Sequence, residues 1–376
     1  MKKRILICGG GTAGHIYPAV SVIEEILENH KDFDILYIGT DRGMEKKIIE
    51  QLDVNFKTIR AAGLIQKGNF VKKIMNYIKF IINLASGFFS SMKLINSFDP
   101  GIILGMGGYV CAPVLLGAVF LRKIFVLHEQ NYIPGRLNKF FSKFCFRVFI
   151  SFEDTERFLN INAEKIVFSG NPVRKIIRET SQHKPDYEKF GLLEGKFTVT
   201  AFGGSLGADR INNSFIELYE KLNYREDLQF LLICGSRFYE NLKSENADIF
   251  KNSLSLRVFP YIDEMDEVYN LTDLLISRSG ANTIAETAVC NIPAILIPYP
   301  YAIDNHQYYN ALFLEKNGKA IILNDRNLNA QELYNIFFDL EKENKKLYND
   351  LKNKNIDFNF INGHKKLAEF LVGDKN

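Results

Sequence analysis

Short apolar runs alternate with helical patterns along almost the whole chain. Read as strands, the runs of the first half cover residues 4–8, 35–38, 56–59, 102–104, 124–128, 148–150 and 166–168. Those of the second half cover 197–201, 230–234, 256–259, 274–277, 294–297 and 320–323. Many lack the strict alternation of a half-exposed strand, as expected of parallel strands covered on both faces. Strands alternating with helices predict a doubly wound α/β sheet, and here the pattern runs twice. The helical pattern restarts just beyond Gly170-Asn171-Pro172, which puts the seam between two Rossmann-like domains there. Beyond Ala330 the chain reads as polar and helical, and no short-period repeat or low-complexity tract interrupts it.

Length agrees with that division, since 376 residues exceed one ordinary core. A composition 47% hydrophobic and 24% charged is that of a globular protein, and a net charge of +3 gives no argument for nucleic acid. The cysteines Cys8, Cys111, Cys145, Cys234 and Cys290 are odd in number, scattered and without C-x-x-C spacing. Reduced, buried thiols in a cytoplasmic protein are expected rather than disulfides or a zinc site. The basic-then-apolar start resembles a signal peptide for a few residues, until Gly9-Gly10-Gly11 cuts it short. No run reaches the roughly 18 uncharged apolar residues of a membrane span. The nearest, 77–89, carries Lys79 and Asn83, so a soluble or peripheral protein is expected.

The chemistry-bearing residues all follow predicted strands, where open α/β sheets bind ligands. Gly9, Gly11 and Gly14 satisfy G-x-G-x-x-G between a strand and a helix, with Asp41 after the second strand. That spacing fits a dinucleotide site, and a nicotinamide- or flavin-dependent oxidoreductase is one reading. Against it, Gly39-Thr40-Asp41-Arg42 reads as a turn, and His15 occupies a position usually small or apolar. Gly105-Met106-Gly107-Gly108-Tyr109 precedes an apolar helix over 110–120 with Pro113 in its first turn. It reads either as a tight packing turn or as a backbone surface for a diphosphate or sugar. Gly203-Gly204-Ser205-Leu206-Gly207 opens the second half as a phosphate cradle, with Ser205 supplying a hydroxyl.

Ser277-Arg278-Ser279-Gly280 leads into a helix expected to begin near Ala281 and continue through Asn282, Thr283, Ile284, Ala285 and Glu286. Its amino end suits an anion. Glu286 is either a dipole complement or the acceptor for two ribose hydroxyls. Asp304 is expected to N-cap the next helix, with Gln307 pointing toward sugar hydroxyls. His128-Glu129-Gln130-Asn131 ends a strand in four polar residues, and Arg174 falls at the seam as an ion-pair partner or a diphosphate clamp. His15 in a helix's first turn should stay neutral, either as a proton acceptor or in a structural hydrogen bond. Asp32-Phe33-Asp34 has the D-x-D spacing of metal-dependent transferases but precedes its strand. It reads as a solvated loop at the wrong sheet end, so no metal is expected.

This ordered set resembles the MurG family of N-acetylglucosaminyltransferases. The residues that carry the resemblance run from Gly10-Gly11-Thr12-Ala13-Gly14-His15 and Gly105-Met106-Gly107-Gly108-Tyr109-Val110 through His128-Glu129-Gln130-Asn131 and Gly170-Asn171-Pro172-Val173-Arg174. They continue with Gly203-Gly204-Ser205, Ser277-Arg278-Ser279-Gly280 and Gln307-Tyr308-Tyr309-Asn310-Ala311, in family order over most of the chain. Ala13 stands where many members have glycine, and Leu206 where some carry glutamine.

The resemblance implies a GT-B fold, with an acceptor- and membrane-facing domain over 1–170 and a UDP-GlcNAc-binding domain over 171–353. A C-terminal helix over about 354–376 would pack back on the first domain. It implies inverting transfer of GlcNAc from UDP-GlcNAc to undecaprenyl-diphospho-MurNAc-pentapeptide, which is lipid I to lipid II, with no metal or other cofactor. It assigns Ser205 and Arg174 to the diphosphate, Ile262 to the uracil, Ala281 to Glu286 to the loop and ribose, and Gln307 to the sugar. Thr12, Ala13, Gly14 and Asn131 would close a shared cleft from the first domain, with His15 as base. Mixed basic and apolar stretches at 69–97 and 139–144 suit an anionic leaflet, or else bury their aromatics in the core. The expected protein is a peripheral glycosyltransferase on the cytoplasmic face of the membrane, in contact with a cell-wall synthesis complex. A UDP-GlcNAc isomerase of similar fold and a non-catalytic membrane-docking module are the other readings.

Overall fold

The thirteen apolar runs all form strands in a computed structural model that describes residues 3–40, 45–63, 69–204, 206–356 and 358–373. The chain divides into two compact units, one of residues 1–174 with 358–376 and the other of 175–357. The first unit holds β1 (Lys3–Cys8), α1 (Ala13–Asn29), β2 (Phe33–Gly39), α2 (Glu45–Ile49), β3 (Asn55–Thr58) and α3 (Phe70–Phe98). It continues with β4 (Ile102–Gly105), α4 (Cys111–Phe120), β5 (Phe125–Glu129), α5 (Arg136–Phe141), β6 (Arg147–Ile150) and β7 (Ile166–Phe168). The second unit holds α6 (Lys175–Arg178), β8 (Phe197–Phe202), α7 (Asp209–Leu222), β9 (Leu228–Ile233), α8 (Ser236–Glu245), α9 (Ala247–Asn252) and β10 (Leu256–Phe259). After these come α10 (Met265–Leu271), β11 (Leu274–Ser277), α11 (Ala281–Val289), β12 (Ala294–Leu296), α12 (His306–Lys316), β13 (Ala320–Ile322) and α13 (Ala330–Asn353). The chain then returns to the first unit with α14 (Phe358–Ile361) and α15 (Gly363–Val372).

Every strand pairing is parallel, in the order β3-β2-β1-β4-β5-β6-β7 in one sheet and β10-β9-β8-β11-β12-β13 in the other. The order reverses between β1 and β4 in the first unit and between β8 and β11 in the second. At such a switch the two following loops leave toward opposite faces and open a crevice at the strands' carboxyl ends. The register puts Cys8 opposite Gly105 and Ser277 opposite Phe202, so the glycine loops of each unit start side by side.

Burial explains the missing alternation: Leu6, Ile7, Leu104, Val126 and Leu127 are all fully buried, because helices cover both faces of the sheet. On one face α1 packs Ile16, Ala19, Val20, Ile23 and Ile26, a 3.6-residue stripe, beside Leu367, Ala368 and Leu371 of α15. On the other face Val110, Val114, Leu115 and Ala118 meet Ile95 of α3. The second unit buries Ile211, Phe215, Leu218 and Leu222 of α7 against β8, β9 and Leu333, Phe337 and Leu340 of α13. The five cysteines are free thiols, four of them buried.

Two local expectations need correcting. The strand β2 begins at Phe33, so Asp34 is a strand residue paired with Arg4 and not part of a solvated loop. Asp304 does not cap α12: it lies at φ 51° in a single 3-10 turn, and Asn305 at φ 54° takes the N-cap position. Two consecutive left-handed residues let the chain turn sharply after Pro300, and that turn displaces the helix start to His306.

Candidate active site

At the β1/β4 switch the two loops interlock. Met106 N–H donates to Cys8 O at 2.8 Å, and a Cβ on Gly108 would lie 2.1 Å from Gly10 O. Gly107 and Gly108 have φ of +97° and +80°, and a Cβ on Gly107 would stand 3.0 Å from Cε1 and Nδ1 of His15. The second glycine stretch therefore makes room for the His15 ring. Thr12 precedes α1 in extended conformation without a side-chain cap, and His15 N–H donates to Thr12 O at 3.1 Å. The N–H groups of Ala13 and Gly14 thus lie ahead of the helical ladder, at the positive end of the helix dipole.

The His15 ring is held from β5. Its Nδ1 lies 3.0 Å from Oε1 of Gln130, whose Nε2 donates to Met106 O at 2.8 Å and to His128 Nδ1 at 3.0 Å. His128 Nε2 donates to Gly170 O at 3.1 Å. Burial, the dominant cause, lowers the His128 pKa to about 4 against the opposing pull of the Gly170 carbonyl. The Glu129 carboxylate, also buried, receives Asn131 N–H at 2.9 Å, Gly135 N–H at 2.9 Å and Asn138 Nδ2 at 2.8 Å. Glu129 therefore fixes the loop from Gln130 to α5, and Asn131 is shaped by it. Arg174 ends the first unit with its guanidinium 4.1 Å from the ring centre of Tyr17 on α1.

At the β8/β11 switch the chain passes Gly203 and Gly204 (φ +84°) to Gly207 (φ +71°), with Leu206 71% exposed. Ser205, expected at the diphosphate, lies outside the described residues, as does Asp41 of the dinucleotide reading. Gly280 caps α11 without a side chain, and the first helical bond runs from Ile284 N–H to Gly280 O at 3.0 Å. The N–H groups of Ala281, Asn282 and Thr283 come before that bond, as an anion cradle requires. Within the same stretch Ile284 and Ala285 are core side chains. Only the backbone of 281–283 and the side chains of Asn282, Thr283 and Glu286 have ligand chemistry to offer.

Glu286 is buried and accepts Tyr269 O–H at 2.9 Å, so one carboxylate oxygen already serves the protein. Gln307 is anchored through its oxygens. Its Oε1 accepts Tyr299 N–H at 2.9 Å, which ties α12 to the segment after β12, and its carbonyl accepts Ser279 Oγ–H at 2.8 Å. Ile262 is buried in the loop after β10. Arg278 donates to Ile297 O at 3.1 Å and to Asp325 Oδ1 at 2.6 Å, and Asp325 also receives Arg210 at 3.0 Å. This cluster pins the β11, β12 and β13 loops together. Nothing local in the sequence marks Asp325 as the partner of Arg278, 47 residues away.

Residues 5–150 match the glycosyltransferase family 28 N-terminal domain, and residues 198–370 match the C-terminal domain of the same family. The UDP-N-acetylglucosamine–N-acetylmuramyl-(pentapeptide) pyrophosphoryl-undecaprenol N-acetylglucosamine transferase of Caldanaerobacter subterraneus subsp. tengcongensis is 38% identical over 335 residues, 88% of this chain and 89% of its own. The chain belongs to the MurG family. The crystal structure of Acinetobacter baumannii MurG superposes with a TM-score of 0.71 at 25% identity, over 98% of this chain and 99% of that one. A UDP-GlcNAc 2-epimerase from Neisseria meningitidis gives the same TM-score of 0.71 at 14% identity, over the whole of both chains, and shares the fold alone. As a MurG-family chain this is a glycosyltransferase of GT-B class, built of two Rossmann-like domains. Among the described residues no group of three or more His, Cys, Asp and Glu could hold a metal ion.

Proposed function

We propose that this chain transfers N-acetylglucosamine, with inversion, from UDP-GlcNAc to undecaprenyl-diphospho-MurNAc-pentapeptide, making lipid II for peptidoglycan. The observation that carries the reading is its likeness, over nearly the full length of both chains, to a transferase named for that reaction. The loops of each unit supply the chemistry. In the second, the amino end of α11 and the loop after β8 hold the UDP diphosphate, with Ser205 on its oxygens. Ile262 flanks the uracil, Glu286 serves the ribose hydroxyls, and Gln307 donates from its side-chain amide to the sugar. Helix amino ends of this kind stabilise the charge that develops on departing UDP without a cation.

The first unit serves the acceptor. Thr12, Ala13 and Gly14 offer backbone N–H groups, Asn131 its side-chain amide, and Arg174 is the cation proposed for the diphosphate. The acceptor hydroxyl oxygen forms the new bond to the sugar anomeric carbon as the bond to UDP breaks and UDP leaves with the electron pair. Nε2 of His15 takes the hydroxyl proton.

The membrane face is part of the same proposal. In α3 the side chains of Ile74, Ile78, Ile81, Ile82 and Phe89 are exposed, among exposed Lys72, Lys73, Lys79 and Lys93. Phe88 stacks edge-on against exposed Phe120, and beyond it Val119, Phe144 and Phe146 line a groove with Arg122, Lys123, Arg147 and Lys165. Residues 72–98 are long and apolar enough to cross a membrane by length and composition. A Cβ on Gly87, however, would stand 2.4 Å from Arg60 O and 3.1 Å from Pro113, so the helix is fitted to its own unit. It lies on the cytoplasmic face of an anionic membrane, where each cation contributes about 1 kcal/mol, and there meets the wall-building enzymes.

Labelled GlcNAc supplied as UDP-GlcNAc should appear on a lipid I analogue. Tight UDP-GlcNAc binding with no transfer to that acceptor would reject the reading. Release of UDP or epimerised sugar without acceptor would favour the isomerase.

A further inference from the structure

The hydrogen-bond chain beneath His15 begins and ends on main-chain carbonyls, which can only accept. At one end Gly170 O, 3.1 Å from His128 Nε2, requires that nitrogen to carry a proton. Burial keeps His128 neutral, so its Nδ1 is a bare acceptor. At the other end Met106 O lies 2.8 Å from the Gln130 amide. With acceptors at 2.8 Å and 3.0 Å, the Gln130 NH2 group must face Met106 and His128, leaving Oε1 toward His15. Rotating the amide would set its oxygen against both acceptors and strip each of its donor, at about 1–3 kcal/mol apiece. The atom 3.0 Å from His15 Nδ1 is therefore an oxygen that cannot donate.

From this we infer that Gln130 is a positioning residue for catalysis. It holds His15 as the Nδ1–H tautomer, so the bare nitrogen of the neutral ring is Nε2, and it stabilises the imidazolium formed when Nε2 takes the acceptor hydroxyl proton. The inference rests on His15 being the base. Its chemistry is that of any histidine base whose second nitrogen is held by a fixed acceptor, where the wrong tautomer costs orders of magnitude in rate. Gly107 and Gly108 keep the ring from swinging away, since they pack against it without side chains. The titratable groups around this assembly are His128 and Glu129 behind Gln130, Tyr109 beside Gly11, and Glu45 beneath Gly10.

The test begins with the intact protein labelled with 15N-histidine, His15 being assigned by the signal lost in His15→Ala. The ring nitrogen shifts should report the Nδ1–H tautomer, and an Nε2–H tautomer overturns the inference without any variant. Gln130→Met should lower kcat about 10- to 100-fold, with KM for UDP-GlcNAc within about twofold, mix the tautomers and move the acid limb of the kcat profile to lower pH. In a His15→Ala background the same substitution should cost nothing further. An equal loss in both backgrounds marks a structural role and overturns the inference. A His15→Ala variant that keeps the parent kcat removes the base reading itself, and with it the catalytic role of Gln130, whatever the tautomer.

Discussion

His15 sits where a cation would oppose the helix dipole, and its Nδ1 faces an oxygen. With Nδ1 so engaged, Nε2 is the ring nitrogen left for the role of base. Replacing it with alanine should cut kcat by about 10²–10⁴-fold, the usual worth of a general base, while the Kd for UDP-GlcNAc moves little. Steady-state kinetics beside calorimetric titration measures both. Below it, the pKa of His128 is lowered from an ordinary 6.5 to about 4 on folding. Between those values the unfolded chain binds the extra proton, so stability is complete above the higher value and is lost as pH falls through the lower. The loss should be on the order of 3 kcal/mol, read from urea denaturation across that range. Gly107→Ala combines a strained positive φ with a Cβ 3.0 Å from the His15 ring. It should cost about 1–3 kcal/mol and lower kcat, measured by thermal unfolding and activity together.

At the scale of elements, the strands were legible because fully buried parallel strands are written as apolar runs, and the glycine loops because they follow those runs. Helix starts were less so. Asp304 carries the right side chain for a cap, yet the turn after Pro300 needs two left-handed residues, a demand that local propensity does not reveal. Gln130 was visible only as part of a polar strand end. Its meaning depends on His15, 115 residues away, and on the Met106 carbonyl. The face of α3 was undecidable from sequence, since an aromatic stripe with interspersed lysines reads equally as core or as membrane contact. Its side chains are exposed, and Ile78→Glu with Ile82→Glu should abolish sedimentation with anionic vesicles. Both positions are half-exposed, so thermal stability should change by about 0.5 kcal/mol or less.

At the scale of the whole molecule, the first unit is completed by α14 and α15, which follow the second unit in the chain. Phe360, Leu367 and Leu371 are buried there, and a Cβ on Gly363 would come within 2.6 Å of Gly170 O. Each such side chain contributes about 1.5–3 kcal/mol, so together they rival the stability of an ordinary domain. Removing residues 358–376 should unfold the first unit and leave the second intact, seen by calorimetry as the loss of one transition and the survival of the other. The same arrangement governs how the chain matures during translation. Residues 175–357 emerge from the ribosome with everything their core needs, whereas the earlier 174 residues must wait, with the α1 stripe still unsealed, until α14 and α15 have been made. Nascent protein is therefore most exposed to chaperones and proteases on the half that was made first.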